Sequence, residues 1–345
     1  MVAPGTALRE GVDNIIYART GGLLVLGEPD EISFLFSGGL KLDVEYSPAV
    51  LYQLAKMDGA IVLDPGAHQI TWANVQLMPD PTIHSSETGT RHRTAERVSK
   101  QTDALVISIS QRRDVVSLYA DGVKYILQEI PTVLSKANQG LATLEKYRAR
   151  FDQVSGRLNS LEFGGGAKLQ DVLTVLQRAE LVLRTASEVE SYIIELGAEG
   201  RLIEMQLEET VVGVTAERGA LVRDYATDAS ERVADLTIDA MGRLSHQDLL
   251  DFGRLAEILG YDRKVSAPDF AVTPRGYRVM GHIPRLPRLV AEKVVQSFDG
   301  LGEILGASDG ELEGVGGVGH ARAGDIRDGL HRLQEVDFVD RYLPT

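Results

Sequence analysis

The first third of the chain carries four short, largely apolar runs that are separated by glycine-containing segments. Runs of this length predict β-strands buried on both faces, and such strands require helices that cover both sides of a central sheet. An Asp121-Gly122 pair between two further apolar runs predicts a β-hairpin. Residues 1–135 are therefore predicted to form an α/β domain. The four runs are residues 23–26, 32–36, 60–63 and 105–109.

Beyond Pro131 the apolar residues recur at intervals of three and four, which is the stripe of a long amphipathic helix or coiled coil. The run Gly164-Gly165-Gly166 is predicted to end this helix, and further helical patterns continue from Leu169 to about Leu259. We interpret this all-helical middle region as a structural spacer. The first stripe consists of Leu141, Leu144, Tyr147, Phe151, Val154, Leu158 and Leu161.

The last third contains the run Val315-Gly316-Gly317-Val318-Gly319, followed by Ala323 and Ile326. Glycines at these positions permit a tight turn between two helices, and the amides of that turn can face a DNA phosphate. Ala323 and Ile326 would pack the second helix against the first. The spacing therefore predicts a helix-hairpin-helix element. The residues predicted to contact DNA are Gly317, Val318, Gly319 and Arg322.

An earlier segment, residues 283–291, has a similar pattern in which prolines replace the glycines, so a tandem pair of hairpins is predicted. Residues 283–345 contain seven Lys and Arg against eleven Asp and Glu, a net charge of −4. Because this negative charge repels the phosphate backbone, contact with DNA would rest on the turn amides and on neighbours such as Arg322. This favours a branched or distorted backbone over plain duplex.

The composition excludes several classes of protein. A net charge of −14 argues against a protein that coats nucleic acid by bulk attraction. The absence of cysteine excludes disulfides, thiolate zinc sites and cysteine nucleophiles. No apolar run approaches the roughly 20 residues that span a bilayer. We therefore expect a cytoplasmic protein without membrane contact, associated with the nucleoid through DNA.

The segment 89–95 reads Gly-Thr-Arg-His-Arg-Thr-Ala, directly before a helical pattern. Arg91 and Arg93 offer forked N–H donors to phosphate oxygens, and free amides at a helix start favour an anion. Thr94 is predicted to cap the helix, with Glu96 in its first turn. The segment predicts a nucleotide phosphate site. The alternative is a solvated helix edge, since surface arginine is common.

The run Met57-Asp58-Gly59-Ala60 precedes one of the predicted strands. An Asp-Gly pair alone is most often a turn. The basic segment 89–95 follows roughly 30 residues later. Together the two segments supply both kinds of group that metal-assisted nucleotidyl transfer needs. One group would hold Mg²⁺ and a hydroxyl, and the others would hold a triphosphate.

The Asp-Gly-Ala and Arg-His-Arg motifs resemble those of the diadenylate cyclase domain family. With the helical middle and the hairpin tail, the resemblance extends over essentially the whole chain, to members that carry a DNA-binding domain. It implies condensation of two ATP molecules into cyclic di-AMP with release of two pyrophosphates. The implied domains are a cyclase domain with a mixed sheet flanked by helices at 1–135, a helical spine at 136–282 and a tandem helix-hairpin-helix DNA-binding domain at 283–345.

Residue by residue, the resemblance places the catalytic carboxylate at Asp58, as the ligand of Mg²⁺ or Mn²⁺, and places Arg91 and His92 beside the phosphates. Each ATP must present its 3′-hydroxyl to the α-phosphorus of the other, so a homodimer is expected. The family adds an octamer. We further hypothesise that branched or recombination-intermediate DNA, bound by several C-terminal domains at once, represses the cyclase. The residues implied to bind ATP are Asp58, Gly59, Ala60, Leu77, Thr90, Arg91, His92, Thr94 and Ser110.

Two other functions stay open on the sequence. A non-catalytic architectural protein that binds DNA junctions would keep the hairpin and carry a nucleotide domain without activity. A sensor that binds ATP or cyclic di-AMP without turnover would keep the basic segment but would have no use for the carboxylate of Asp58.

Overall fold

The computed structural model describes residues 1–111, 115–262 and 269–342. The chain divides into two compact units. The first unit is Met1–Asn138 with Glu190–Glu204, and the second is Gln139–Val189 with Met205–Thr345. The predicted division into three domains at 135 and 282 stays a prediction.

The described part of the first unit contains one mixed sheet of eight strands. These are β1 (Gly22–Leu26), β2 (Phe36–Ser37), β3 (Leu40–Glu45), β4 (Ala60–Leu63), β5 (Gln69–Leu77), β6 (Leu105–Ile109), β7 (Val116–Ala120) and β8 (Val123–Ile126). Their order is β2-β5-β4-β1-β6-β7-β8, and β3 also pairs with β5. β1 and β4 run parallel, whereas the other described pairs are antiparallel. The predicted hairpin is confirmed as β7–β8.

Apolar cores lie on both faces of this sheet. Leu24 of β1 packs in a cluster with residues of helix α1 (Ala7–Tyr17), whereas Val25 packs in a second cluster with residues of helix α4 (Thr90–Gln101). All five residues of β1 are buried, which confirms the expectation of strands covered by helices on both sides. Two shorter helices complete the first 111 residues: α2 (Pro29–Ile32) and α3 (Pro48–Leu54).

The prediction of a strand over residues 32–36 is wrong. Ile32 is the last residue of α2, residues Ser33–Leu35 form a 3₁₀ turn, and β2 begins at Phe36. Pro29 occupies the start of α2, with acidic residues in the first turn, and both features favour a helix. Ile32 and Leu35 are buried one turn apart, whereas Phe34 between them is 63% exposed. The apolar residues therefore follow a helical period.

The middle of the chain is helical, as predicted. α5 (Ile130–Phe163) ends at the three glycines, where the Gly166 amide donates to the Leu161 carbonyl at 2.8 Å. Among the described helices, none combines the length and apolar character that a membrane span requires. The following helices are α6 (Leu169–Leu196), α7 (Arg201–Val211), α8 (Val214–Tyr225), α9 (Glu231–Gly242), α10 (His246–Leu250) and α11 (Phe252–Ile258).

The C-terminal helices share one apolar core in the second unit. They are α12 (Tyr277–Gly281), α13 (Arg288–Ser297), α14 (Leu301–Gly306), α15 (Asp309–Glu313) and α16 (His320–Tyr342). A 3₁₀ turn, Gly197–Gly200, lies between α6 and α7 in the first unit.

A buried ionic cluster joins three helices of the second unit. The guanidinium of Arg278 on α12 donates to Glu162 of α5 at 2.5 Å and to Glu217 of α8 at 2.6 Å. The side chains of Arg278 and Glu162 are 0% exposed. Burial alone would raise the pKa of Glu217, but hydrogen bonds from His282 and Arg278 lower it to about 2. The cluster therefore holds the carboxylate of Glu217 in the charged form.

Replacement of Arg278 by Met should destabilise the second unit by about 3–5 kcal/mol, because it removes the cation from the buried carboxylate of Glu162 and leaves Glu217 with His282 alone of its two cluster partners. Arg288→Met is the matched control, since Arg288 is 73% exposed and its ion pairs with Glu231 and Glu292 lie at the surface. We expect that control to cost less than about 1 kcal/mol. Urea unfolding followed by circular dichroism measures both, and equal losses would contradict a structural role of the buried cluster.

Candidate active site

The strand register brings Asp58 and Leu77 to the same edge of the sheet. β5 runs antiparallel to β4, with Val75 opposite Ala60. Leu77 therefore ends β5 at the level at which Asp58 precedes β4. Asp58 is exposed, whereas Leu77 is 8% exposed and packs in the core on the α4 side.

β1 brings Ser110 to this edge as well. β1 is parallel to β4, with Leu24 opposite Ile61, so both strands begin at the edge where Asp58 lies. β6 is antiparallel to β1, with Ile109 opposite Gly22. Ser110 follows β6 directly and is half-buried at that edge.

Arg91 reaches the same edge from the first turn of α4. Its Nη1 donates to the carbonyl of Ile109 at 3.4 Å. Gly21 has a φ of +69°, and a Cβ at this glycine would lie 2.6 Å from the same Nη1. The guanidinium therefore occupies space that any side chain at position 21 would fill. The structure thus brings Arg91 and Ser110 together.

Gly59 allows the turn before β4 to press against β5. Its φ is +92°, and a Cβ would lie 2.8 Å from the Asn74 carbonyl carbon and 2.9 Å from the Val75 carbonyl oxygen. A side chain is excluded by both the backbone conformation and the contact. Ala60, the next residue, is 1% exposed and forms part of the core beneath the turn.

The start of α4 differs from the prediction at Thr94. The helix begins at Thr90, with Gly89 as its N-cap, and Gly89 supplies no side chain to cap it. Thr94 lies in the second turn, so its predicted capping role is wrong. The N-cap is Gly89, five residues before Thr94, with an extended backbone of φ −80° and ψ 139°. The first-turn amides are thus left without a side-chain cap from that position.

Glu96 is also placed differently from the prediction. It lies beyond the first turn, is 7% exposed, and accepts hydrogen bonds from Lys100 at 2.7 Å and Ser85 at 2.5 Å. His92 is half-buried in the first turn, and a Cβ on Gly89 would lie 3.5 Å from its Nδ1. Thr90 is exposed and Thr94 half-buried.

The carboxylate at this edge fits a metal that is shared with a substrate. Among the residues that the structure describes, no group of three or more His, Asp or Glu side chains could hold an ion. Mg²⁺ is commonly bound by one or two carboxylates together with substrate phosphates. A single exposed Asp58 agrees with that donor set, whereas a closed site made of protein ligands would need more.

A sequence signal was missed at Gly21-Gly22. Its spacing matches neither dinucleotide nor P-loop motifs, and the sequence alone assigns the pair to no site. The structure places it against Arg91 at the candidate site. The available signal is a glycine pair at the start of a buried strand.

The turn between α15 and α16 is tight. The Val318 amide donates to the Val315 carbonyl at 2.9 Å, and Gly317 has a φ of +97°. Nη1 of Arg322 donates to the Gly317 carbonyl at 2.7 Å and so braces the turn from the following helix. Ala323 and Ile326 of α16 are both 0% exposed.

The turn between α12 and α13 repeats this geometry. The Leu286 amide donates to the Ile283 carbonyl at 3.4 Å, and Arg285 takes the positive φ of +63° that Gly317 takes in the later turn. The Ala291 amide donates to Pro287 at 3.1 Å, as the Ala323 amide does to Gly319 at 3.0 Å. A left-handed conformation at arginine costs roughly 1–2 kcal/mol, so packing must hold this turn.

Comparison with known proteins identifies the family for most of the chain. The family described as DisA bacterial checkpoint controller nucleotide-binding (DAC) matches residues 9–124, and the DisA bacterial checkpoint controller linker region matches residues 127–267. A DNA integrity scanning protein DisA from Carboxydothermus hydrogenoformans is 51% identical over 97% of this chain and 95% of that protein. One from Clostridium botulinum is 49% identical over 99% and 96%.

The chain belongs to the DisA family. Its N-terminal region is a DAC nucleotide-binding domain, and membership implies a diadenylate cyclase. A solved structure of DacA from Staphylococcus aureus is 24% identical, covers 36% of this chain and 85% of that one, and has a TM-score of 0.30. A TM-score this low supports no conclusion about this chain.

Gly21→Ala should weaken binding of a non-hydrolysable ATP analogue by about tenfold, because the new methyl group displaces Arg91, the predicted phosphate donor. Gly38→Ala is the matched control, since Gly38 has the same φ of +69° but nothing within 4 Å of a Cβ. Both variants carry the same backbone strain, and only one crowds the guanidinium. Titration calorimetry measures the affinities, and equal values for the two variants would contradict the placement of Arg91.

Proposed function

We propose that this chain condenses two ATP molecules into cyclic di-AMP and releases two pyrophosphates. The observation that carries the proposal is the convergence of Asp58, Ser110 and Arg91 on one edge of the sheet, inside the DAC domain. A carboxylate that holds a cation, next to donors for a triphosphate, is what nucleotidyl transfer requires.

The residues take the following roles in the proposal. Asp58 orients the attacking ribose hydroxyl through its carboxylate. Arg91 and His92 offset negative charge on the triphosphate and on the departing pyrophosphate. Gly59 lies beside the nucleotide in the proposal and lets the turn that carries Asp58 press against β5. The remaining contacts come from Thr90, Thr94, Ser110, Leu77 and Ala60.

Mg²⁺ or Mn²⁺ is the proposed cofactor, held by Asp58 together with the phosphates of ATP. When bound, it supplies charge neutralisation at the phosphates and makes a coordinated hydroxyl more acidic. The protein side chains then position the ribose and the triphosphate, and the closely packed turn at Gly59 keeps Asp58 in a defined place.

The reaction itself requires two copies of the domain. Each 3′-oxygen forms a bond to the α-phosphorus of the other ATP, the bond from that phosphorus to its pyrophosphate breaks, and each hydroxyl proton leaves to solvent. One domain that binds one ATP achieves this only against a second domain related by a two-fold axis. A face-to-face dimer is therefore part of the proposal, and the octamer rests on the family resemblance alone.

Asp58→Asn should abolish cyclic di-AMP formation, by more than about a hundredfold, while ATP binding and folding are retained. Asp103→Asn is the matched control, because Asp103 is an exposed carboxylate just before β6, at the opposite edge of the sheet. Chromatography of the products after incubation with ATP and Mn²⁺ provides the measurement. Appreciable turnover by the Asp58 variant would refute its role, and a wild-type chain without product would favour the sensor or the architectural protein.

We further propose that the C-terminal helices form a tandem helix-hairpin-helix domain that binds branched DNA and thereby represses the cyclase. The matching turns at Gly317 and Arg285 support this proposal, because each presents backbone amides between two helices. The net charge of −4 in residues 283–345 makes tight binding to plain duplex unfavourable. Several tails that engage one junction would compensate for weak single contacts.

Gly317→Ala should weaken binding to a four-way DNA junction by about tenfold, because a side chain disfavours the φ of +97° on which the turn depends. Gly316→Ala is the control, since it also has open space for a Cβ but no positive φ. Electrophoretic mobility and cyclic di-AMP output are measured with and without the junction. If the junction changes neither in the wild-type chain, the sensor function is absent.

A further inference from the structure

The segment that links β5 to α4, residues 78–89, is held along α4 by cationic side chains; we call it the strap. Arg97 donates from Nε to the Ile83 carbonyl and from Nη2 to the Pro81 carbonyl, both at 2.9 Å. Lys100 donates to the His84 carbonyl at 2.9 Å. The strap therefore follows α4 closely although it has no regular structure of its own.

Arg93 donates hydrogen bonds to the C-terminal end of the strap, next to the candidate site. Its Nε donates to the Glu87 carbonyl at 3.3 Å and its Nη2 to the Thr88 carbonyl at 3.2 Å. These carbonyls lie directly before Gly89, the N-cap of α4. In this arrangement Arg93 binds backbone, whereas Arg91, two positions earlier, lies at the sheet edge.

The side chain of Glu87 anchors the same end of the strap to the sheet. It accepts hydrogen bonds from Lys124 of β8 at 2.6 Å and from the hydroxyl of Tyr119 of β7 at 3.0 Å. Burial alone would raise the pKa of Glu87, but these two donors lower it, which keeps the carboxylate charged. The entry to α4 is thus fixed to the helix by Arg93 and to the sheet by Glu87.

We propose that Arg93 is a positioning residue for cyclisation, which acts by fixing the strap and through it the first turn of α4. This inference rests on the proposed function. The planar fork of arginine spans two neighbouring carbonyls, which an ammonium group does not reproduce. Loss of the fork would let Thr90, Arg91 and His92 shift relative to Asp58, and small displacements of reacting groups reduce rates strongly.

The test compares Arg93→Gln, Arg93→Lys and Arg97→Gln. Arg97 is the matched control, since it binds the same strap from the same helix with the same donor atoms, one turn farther from the site. The measurements are kcat and KM for ATP, melting temperature, and the Kd for 3′-deoxy-ATP, which lacks the attacking hydroxyl and therefore reports binding alone.

Both Arg93 variants should lower kcat by about a hundredfold, as expected for misplaced reacting groups. Their Kd for 3′-deoxy-ATP should change by less than about threefold, because the lost interaction acts on alignment. Arg97→Gln should keep kcat within about threefold of wild type at a similar melting temperature.

Three results would overturn the proposal. If Arg93→Lys retains most of the activity and Arg93→Gln loses binding in step with kcat, Arg93 contacts phosphate directly. If the two glutamine variants lose activity equally and in step with melting temperature, its role is general stability. A wild-type chain that binds 3′-deoxy-ATP but makes no cyclic di-AMP would overturn the proposed function first, and the role of Arg93 with it.

Discussion

The candidate active site depends on the main-chain pairing of β1 with both of its neighbours. Because β1 runs parallel to β4 and antiparallel to β6, the start of β4 and the end of β6 meet at one edge. Antiparallel pairing of β5 with β4 adds the end of β5. Residues as distant in sequence as Asp58 and Ser110 are therefore brought together by backbone hydrogen bonds. A register slip of one residue in β1 would turn every side chain to the opposite face and separate them.

In the second unit a charged interaction takes the place of sheet pairing. Arg278 fixes α12 against α5 and α8 through two buried carboxylates, and the turn at Ile283 follows α12 within two residues. Asp224 reinforces this arrangement by accepting hydrogen bonds from three backbone amides at the start of α12. Burial, opposed by those amides, raises its pKa to about 7. The left-handed Arg285 is thus supported by a rigid neighbouring helix.

The elements that were predictable from the sequence are those whose burial gives a simple pattern. β1, β4 and β6 are buried on both faces and so appear as continuous apolar runs. The β7–β8 turn has a positive φ at both Asp121 and Gly122, the geometry that an Asp-Gly pair favours. β3 and β5 were not predicted, since the register shifts between them and both Asp43 and Asn74 have a positive φ, which interrupts a period of two. Residues 32–36 combine the end of α2, a 3₁₀ turn and the first residue of β2. These pieces are too short for the helical spacing of Ile32 and Leu35 to be distinguished from a continuous apolar run.

At the candidate site, the sequence predicts which types of side chain are present but not which partner each of them contacts. Arg91 and Arg93 are two positions apart in one motif, yet one lies against Gly21 at the sheet edge and the other binds the strap. Gly21 and Gly38 share a φ of +69°, and only Gly21 has a guanidinium within reach of a Cβ. These differences arise from packing between segments far apart in sequence. The spacing of residues within one motif does not show such contacts. A motif therefore specifies which chemistry is available, whereas the fold decides which of its members faces the substrate and which holds the backbone in place.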